Sequence, residues 1–193
     1  MESLDLRIVE ALSGLDWPVV TPVMKAASYV GRGGAVWLVI GAVLTLRARR
    51  ALPLWLTMLA VLLGSLTGTV IKNLTDRPRP SLVDADINPL IALPHSSSMP
   101  SGHALTAFAA ATVLSAIAPW LRVPLFGLAG TIALSRVYLG VHYLSDVLVG
   151  AALGIGVGLG VLWLAALLHV QVGAGHDRNR GDQRKEDAEG QAD

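Results

Sequence analysis

The chain has 193 residues and a formal net charge of +1, so no broad positive field indicates nucleic acid as a partner. Apolar residues (AVILMFWYC) make up 53% of it and charged residues only 15%, against roughly 25% charged in soluble domains. Ten of the 29 charged residues fall in the last segment, Gly173–Asp193, and the rest are too few to solvate a compact globule. The composition therefore excludes an ordinary soluble domain and predicts a membrane protein. Because there is no cysteine, disulfides, thiol nucleophiles and thiolate metal sites are excluded as well.

The first 25 residues form the least regular part of the pattern. Ala11–Met24 is apolar but contains Asp16 and two prolines. It is predicted to be either a short transmembrane segment or a helix lying in the membrane interface. Acidic residues such as Glu2 and Asp5 leave no basic start followed by an apolar stretch, so a cleaved signal peptide is not expected.

Five further apolar stretches are predicted to cross the membrane, because a spanning helix needs about 20 apolar residues. They are Ala26–Leu46, which has Arg32 near one end, Ala51–Ile71, Ala104–Leu121, Val123–Gly140 and Val147–Leu168. The sequence thus predicts an all-α, polytopic membrane helix bundle with five or six transmembrane helices. Its expected parts are an N-terminal region (1–50), a core of four transmembrane helices (51–172) and a tail (173–193). The tail has no apolar periodicity and is predicted to be disordered and cytoplasmic.

Basic loop residues predict which way the bundle faces. Arg47, Arg49 and Arg50 lie together in the short loop before Ala51, and such clusters favour the cytoplasm. Alternation of the spans then places three polar segments together on the opposite, extracytoplasmic face. These segments are Lys72–Pro80, Pro100–His103 and Ser135–Asp146.

The first segment combines Lys72 with Arg79 and Pro80 at the outer end of a predicted span. A lysine point charge and a planar arginine fork suit a phosphoryl group. The alternative is a basic anchor at the membrane surface, with aliphatic stems in the apolar layer. Arg77, between the two cations, either assists the clamp or serves the interface.

The second segment, Pro100-Ser101-Gly102-His103, directly precedes an apolar helix. Proline suits a first helical turn, free amides at a helix start attract anions, and Gly102 allows close approach to the backbone. His103 adds a titratable proton in the first turn. Ordinary helix-start chemistry with an interfacial histidine is the alternative interpretation.

The third segment contains Ser135-Arg136 followed by His142 and Asp146. Four residues apart, His142 and Asp146 share a face if the segment is helical. An isolated acid entering a membrane span is costly and points to function. A carboxylate bonded to one imidazole nitrogen leaves the other as nucleophile or base. A structural histidine–aspartate pair is the alternative, and no third ligand at tight spacing supports a metal site.

Together these residues resemble the signature of the type-2 phosphatidic acid phosphatase superfamily, which also includes the vanadium haloperoxidases. That signature is K-x6-RP, then PSGH, then SR-x5-H-x3-D, and the chain has all three with complete spacings. The resemblance covers roughly residues 51–168. Met99 stands where an aromatic residue often precedes PSGH.

The resemblance implies catalytic roles for three side chains and phosphate binding by five residues. His142 attacks phosphorus and forms a phosphohistidine, Asp146 orients it, and His103 protonates the leaving oxygen and then activates water. The expected phosphate ligands are Lys72, Arg79, Arg136, Ser101 and Gly102. Because three fixed cations take the place of a metal ion, no metal or other cofactor is expected.

The implied function is a membrane lipid phosphatase, with its site on the extracytoplasmic face of a bacterial plasma membrane. Its substrate is expected to be a polyprenyl diphosphate, phosphatidic acid or phosphatidylglycerol phosphate, with a slight preference for the first. A non-hydrolytic phosphate-lipid binder or transporter and a vanadate-binding haloperoxidase are the alternatives. The oligomeric state is left open.

His95 is expected to be a solvated loop residue and His169 an interfacial one. The last span carries small-residue spacing that favours close helix packing, through Gly150, Gly154 and Gly158, with Gly156 and Gly160 alongside.

Overall fold

The computed structural model describes residues 2–15 and 17–168, and all regular elements within these ranges are helical, which confirms the all-α prediction. The α-helices in chain order are α1 (Glu2–Ser13), α2 (Val20–Val30), α3 (Ala35–Ala48), α4 (Leu52–Thr75), α5 (Pro80–Val83), α6 (Gly102–Ile117), α7 (Arg122–Tyr138) and α8 (Leu144–Leu167). Short 3-10 turns at Arg32–Gly34 and Pro119–Leu121 join α2 to α3 and α6 to α7. His169 and the tail that was predicted to be disordered lie outside the described residues.

Helix α6 is the centre of the bundle and packs against α4, α7 and α8. Most of its residues are buried, and the alanines at 104, 109, 110 and 111 have no exposed surface. Small side chains let three neighbouring helices approach α6 closely, and contacts with these helices fix its position. The residues at its N-terminus are therefore placed precisely relative to α4 and α8.

The closest helix contact runs between α6 and α8 and depends on three glycines. A Cβ atom on Gly150 would lie 2.6 Å from the Ser101 carbonyl oxygen, and one on Gly154 would lie 2.3 Å from that of Leu105. On Gly158 it would lie 2.6 Å from the Thr112 side chain. The predicted close packing is thus confirmed for these three positions. Added Cβ atoms on Gly156 and Gly160 would meet no described residue within 4 Å.

The predicted number of five or six membrane spans is not confirmed. Two stretches of the described residues are long and apolar enough to cross a bilayer, Leu52–Val83 and Leu144–Leu167. A third candidate is the pair α2 and α3, which is bent by 54°. Helix α6 has only 16 residues, about 24 Å at 1.5 Å per residue, which is less than the apolar core of a typical bilayer. These apolar helices are nevertheless those of an integral membrane protein.

The N-terminal region is divided into helices at other places than the apolar stretches of the sequence. Ala11–Met24 is not one helix, because α1 ends at Ser13 and α2 begins at Val20, with Gly14 and Pro18 in the break. The span expected over Ala26–Leu46 is also interrupted. Gly33 and Gly34 adopt φ values of +62° and +75°, which glycine tolerates and most residues do not. A Cβ on Gly34 would also lie 2.6 Å from Val61 of α4.

The two ends of the bundle differ in chemistry. The start of α4, the α6–α7 turn and the end of α8 lie at one end, with three exposed tryptophans: Trp55, Trp120 and Trp163. Trp17, also exposed, lies at the opposite end beside Tyr138, so tryptophans mark both membrane interfaces. Exposed arginines lie at the first end, before α4 and at the start of α7: Arg49, Arg50 and Arg122. The end of α4 and the starts of α6 and α8 meet at the opposite end, where Ser101 N donates to the Asp146 carbonyl oxygen at 3.0 Å.

Candidate active site

The first cationic segment is held by backbone carbonyls of other segments. Lys72, near the end of α4, donates from Nζ to the Ser97 carbonyl oxygen at 2.6 Å. Arg79 lies just before α5 and is 2% exposed. Its Nε donates to the Ser96 carbonyl at 3.0 Å and its Nη1 to the Val141 carbonyl at 2.7 Å. These carbonyl oxygens are neutral, so they satisfy N–H groups of the buried guanidinium without cancelling its charge, which can still attract an anion.

The second segment forms the start of α6. Ser101 is the N-cap residue but makes no side-chain capping bond, and its Oγ is buried with no partner among the described residues. His103 lies in the first turn, half-buried, and its ring bonds to the backbone of Ser28 in α2. A Cβ on Gly31 would lie 3.3 Å from the His103 ring, so this glycine leaves room for the imidazole.

The third segment turns sharply between α7 and α8. Gly140 has φ +72°, and the amides of Val141 and His142 both donate to the Arg136 carbonyl at 3.2 Å. His142 therefore lies in the loop before α8, so the condition of a shared helix with Asp146 is not met. The pair still meets, with His142 Nδ1 3.3 Å from Asp146 Oδ2, because Asp146 caps the start of α8 by accepting from Tyr143 N at 3.0 Å.

The environment of His142 favours its neutral, nucleophilic form. Arg79 Nη1 lies 3.4 Å from His142 Nε2. Because a guanidinium only donates, the contact fits the tautomer with the proton on Nδ1, facing Asp146, and a lone pair on Nε2. Burial lowers the pKa of His142 to about 4, since desolvation penalises the charged form.

Arg136 and His103 lie on the α2 side of the site. Arg136 Nη1 donates to Ser28 Oγ, while Arg136 Nε is buried without a partner among the described residues. The Arg136 charge acts on both His103 and His142. Buried polar atoms without a hydrogen bond are rare and often mark a place where another molecule binds.

A cavity of about 210 Å³ opens beside His103. Its wall comes from the 3-10 turn after α2, from α4 and from the start of α6, and consists of Gly31, Gly33, Ser65, Gly68, Thr69, Lys72, Gly102, His103 and Thr106. Lys72 and His103 thus face one space, with the Gly102 backbone between them. All eight residues singled out from the sequence lie at this end of the bundle.

Sequence reasoning missed much of the second layer around Asp146. Ser98 Oγ donates to Asp146 Oδ2 at 2.5 Å and Arg77 Nη1 donates to Asp146 Oδ1 at 2.6 Å. Arg77, which had two open interpretations, therefore contacts the candidate site directly. Asp5 of α1 bonds Arg77 in turn. The RPRP run singles out Arg77, but no local signal marks Asp5 or Ser98, because their partners are distant in sequence.

Two further points from the sequence concern His95 and metal binding. His95 is exposed, as expected for a solvated loop histidine. No group of three or more His, Cys, Asp or Glu side chains in the described residues is arranged to hold a metal ion.

Comparison with known proteins shows consistent similarity. The PAP2 superfamily pattern matches residues 53–169. The decaprenylphosphoryl-5-phosphoribose phosphatase of Mycolicibacterium smegmatis is 36% identical over 150 residues, 75% of this chain and 78% of that protein. Aquifex aeolicus LpxE superposes with a TM-score of 0.73 at 31% identity, over 83% of this chain and 95% of that one. The transmembrane PAP2-type phosphatidylglycerolphosphate phosphatase of Bacillus subtilis has a TM-score of 0.71 at 27% identity, over 86% of each chain.

Proposed function

The chain belongs to the PAP2 superfamily, and on that premise we propose that it is a membrane lipid phosphatase that works through a phosphohistidine on His142. One observation carries the proposal. The buried His142 imidazole is held between Asp146 at Nδ1 and Arg79 at Nε2, at 3.3 and 3.4 Å. The Nε2 lone pair of His142 thus points toward the Arg79 guanidinium. A phosphoryl group attracted by that positive charge would lie next to the nucleophilic nitrogen.

In the first step His142 Nε2 attacks phosphorus in line with the leaving oxygen. The Nε2–P bond forms, the bond from phosphorus to the leaving oxygen breaks, and His103 donates a proton to that oxygen. Asp146 accepts the Nδ1 proton in a hydrogen bond and stabilises the positive charge that develops on the ring. His103 faces the cavity, which is where a leaving group needs space.

In the second step His103 accepts a proton from water. The water oxygen bonds to phosphorus, the Nε2–P bond breaks and inorganic phosphate leaves, so both histidines return to their first state. Fixed cations would neutralise the non-bridging oxygens throughout, from Lys72, Arg79 and Arg136. Ser101 Oγ and Arg136 Nε, which have no hydrogen-bond partner among the described residues, would gain hydrogen bonds when these oxygens bind, with the Gly102 amide beside them.

The cavity suits the leaving alcohol rather than a whole lipid, because Lys72 and His103 line it whereas His142 does not. Its volume of about 210 Å³ is below the roughly 300–1,000 Å³ of ordinary ligand pockets, so the acyl or prenyl chain would remain in the bilayer. Among substrates, we place a polyprenyl-linked phosphate first because of the similarity to the decaprenylphosphoryl-5-phosphoribose phosphatase. A sugar-phosphate monoester on such a lipid then joins polyprenyl diphosphate as a leading candidate.

The active site is proposed to face the extracytoplasmic side of a bacterial plasma membrane. Exposed arginines occupy the other end of the bundle, at Arg49, Arg50 and Arg122, and such clusters favour the cytoplasm. A phosphate on a lipid of the outer leaflet would then reach the cations at headgroup height.

Phosphate release in detergent tests the proposal. Purified protein with excess chelator is assayed on a panel of polyprenyl diphosphate, a polyprenyl-linked sugar phosphate, phosphatidic acid and phosphatidylglycerol phosphate. His142→Ala and His103→Ala should each abolish turnover. His95→Ala is the control, because His95 is an exposed loop histidine, and this variant should keep turnover. Full turnover by His142→Ala would refute the mechanism. Binding of every lipid without release would support a non-hydrolytic binder instead.

A further inference from the structure

We propose that Asp5, on the N-terminal helix α1, is a positioning residue for phosphoryl transfer and acts through Arg77 on Asp146. The inference rests on the function proposed above and adds to it a part of the chain that lies outside the matched residues 53–169. Asp5 does not contact His142. Its effect would pass through one guanidinium that bonds both carboxylates.

The Arg77 guanidinium contacts four side chains. Its Nη1 donates to Asp146 Oδ1 at 2.6 Å and to Ser145 Oγ at 2.7 Å, and its Nη2 donates to Asp5 Oδ2 at 3.1 Å. The guanidinium also stacks over the Tyr143 ring, 4.0 Å from the centroid, a favourable cation–π distance. A planar fork that bridges two carboxylates fixes both of them, which lysine cannot do.

The two oxygens of Asp146 have separate tasks. Oδ2 faces His142 and also accepts from Ser98 Oγ and Tyr143 N. Arg77 Nη1 donates to Oδ1. Arg77 therefore sets the plane of the carboxylate from the side away from the imidazole, and a rotation of that plane would lengthen the His142 bond.

Asp5 is itself placed by the packing of α1. Val9, one turn further along, is fully buried in a cluster with residues of α7 and α8, including Val137 and Val147. Asp5 Oδ1 accepts from Ser145 N at 3.1 Å, and its Oδ2 accepts from Ser145 Oγ. The side chain is only 12% exposed. Such a carboxylate at the first turn of α8 is stabilised by the helix dipole and held rigidly.

Charge explains why a second carboxylate is useful here. Asp146 must stabilise positive charge on His142 as the phosphohistidine forms, but Arg77 carries a positive charge 2.6 Å from Asp146. Asp5, 3.1 Å from Arg77, offsets that charge and leaves Asp146 effectively anionic toward the imidazole. Without Asp5, Arg77 and the growing charge on His142 would compete for one carboxylate.

The main test is Asp5→Asn, which keeps the shape and removes the charge, with Glu10→Gln as the matched control because Glu10 is an exposed acid on the same helix. We expect kcat of Asp5→Asn to fall about 10-fold, the size of loss that follows when a partner orienting a metal-ligating side chain is removed. KM should stay within about two-fold, because Asp5 does not touch the phosphate. Glu10→Gln should match the wild type. Thermal unfolding is measured for each variant, so that kcat refers to folded protein.

Arg77 variants separate a positioning role from a bracing role. Arg77→Lys keeps the charge but cannot bridge both carboxylates, so it should lose kcat even if Asp5→Asn does not fold. In the double variant Asp5→Asn/Arg77→Met, kcat should equal that of Arg77→Met alone, since Asp5 acts only through Arg77. Additive losses, or a lower unfolding temperature with unchanged kcat, would overturn the inference and leave Asp5 as a brace for α8.

Failure of this inference is distinguishable from failure of the proposed function. If the wild type releases no phosphate, or His142→Ala keeps full turnover, the proposed function fails. If the wild type is active and depends on His142, while Asp5→Asn and Arg77→Lys both turn over at the wild-type rate, only the positioning role fails.

Discussion

The α6–α8 contact allows a sharp test because one helix offers both a crowded glycine and an open one. A Cβ on Gly154 would lie 2.3 Å from the Leu105 carbonyl oxygen, 3.0 Å from Phe108 Cβ and 3.1 Å from Ala109 N. Two of these atoms belong to the α6 backbone and cannot rotate away. Gly154→Ala therefore requires the two helices to separate by about 1 Å to restore ordinary contact. On Gly156 the same atom meets no described residue within 4 Å.

The expected energies have opposite signs. Overpacking a tight contact costs about 1–3 kcal/mol, whereas alanine in place of glycine in an open helical position is favourable by roughly 0.5–1 kcal/mol. At roughly 2–4 °C per kcal/mol for a chain of this size, the unfolding temperatures of Gly154→Ala and Gly156→Ala should differ by about 3–16 °C. Activity should differ too, because α6 carries Ser101 and His103, while α8 carries Asp146. A 1 Å displacement of catalytic groups can cost about 10²-fold in rate.

The measurement is thermal unfolding in detergent together with phosphate release from the same preparations. Gly154→Ala should unfold earlier and lose activity, and Gly156→Ala should do neither. Equal unfolding temperatures and equal rates for the two variants would show that α8 does not need close backbone contact with α6, and would refute the packing argument.

Three further outcomes follow from the site. Burial lowers the pKa of His142 to about 4, so its imidazole is neutral above that pH. The pH profile of kcat/KM should therefore fall on its acid side near pH 4. An acid-side midpoint near pH 6.5 would contradict the effect of burial. Arg79→Lys should lower kcat/KM by about 10²–10³-fold, because lysine cannot bond the Ser96 and Val141 carbonyls together, whereas Arg122→Lys at the far end should be neutral. Ser98→Ala should lower kcat, by about 10-fold, with KM nearly unchanged, because Ser98 bonds Asp146 and not phosphate; an equal rise in KM would contradict this role.

Some expectations from sequence survive because they depend on the chemistry of short stretches. Long apolar runs without charge specify helices that water cannot solvate, and α4 and α8 begin within three residues of the predicted starts at Ala51 and Val147. The motif spacings single out two histidines, an acid and three cations as candidate site residues, because each proposed role needs a particular functional group. Helix direction alone places these groups at one end.

Other features depend on contacts between residues far apart in the chain, so sequence alone left them open or incorrect. The bend at Gly33 and Gly34 uses their positive φ values, with Gly34 lying close to Val61, and hydropathy does not report a bend. His142 meets Asp146 through a loop and a helix cap, not through helical spacing. Asp5 reaches Arg77 from 72 residues away. Local sequence determines which groups are available, whereas only tertiary packing brings Asp5 and Arg77 to 3.1 Å, because that distance depends on how whole helices dock.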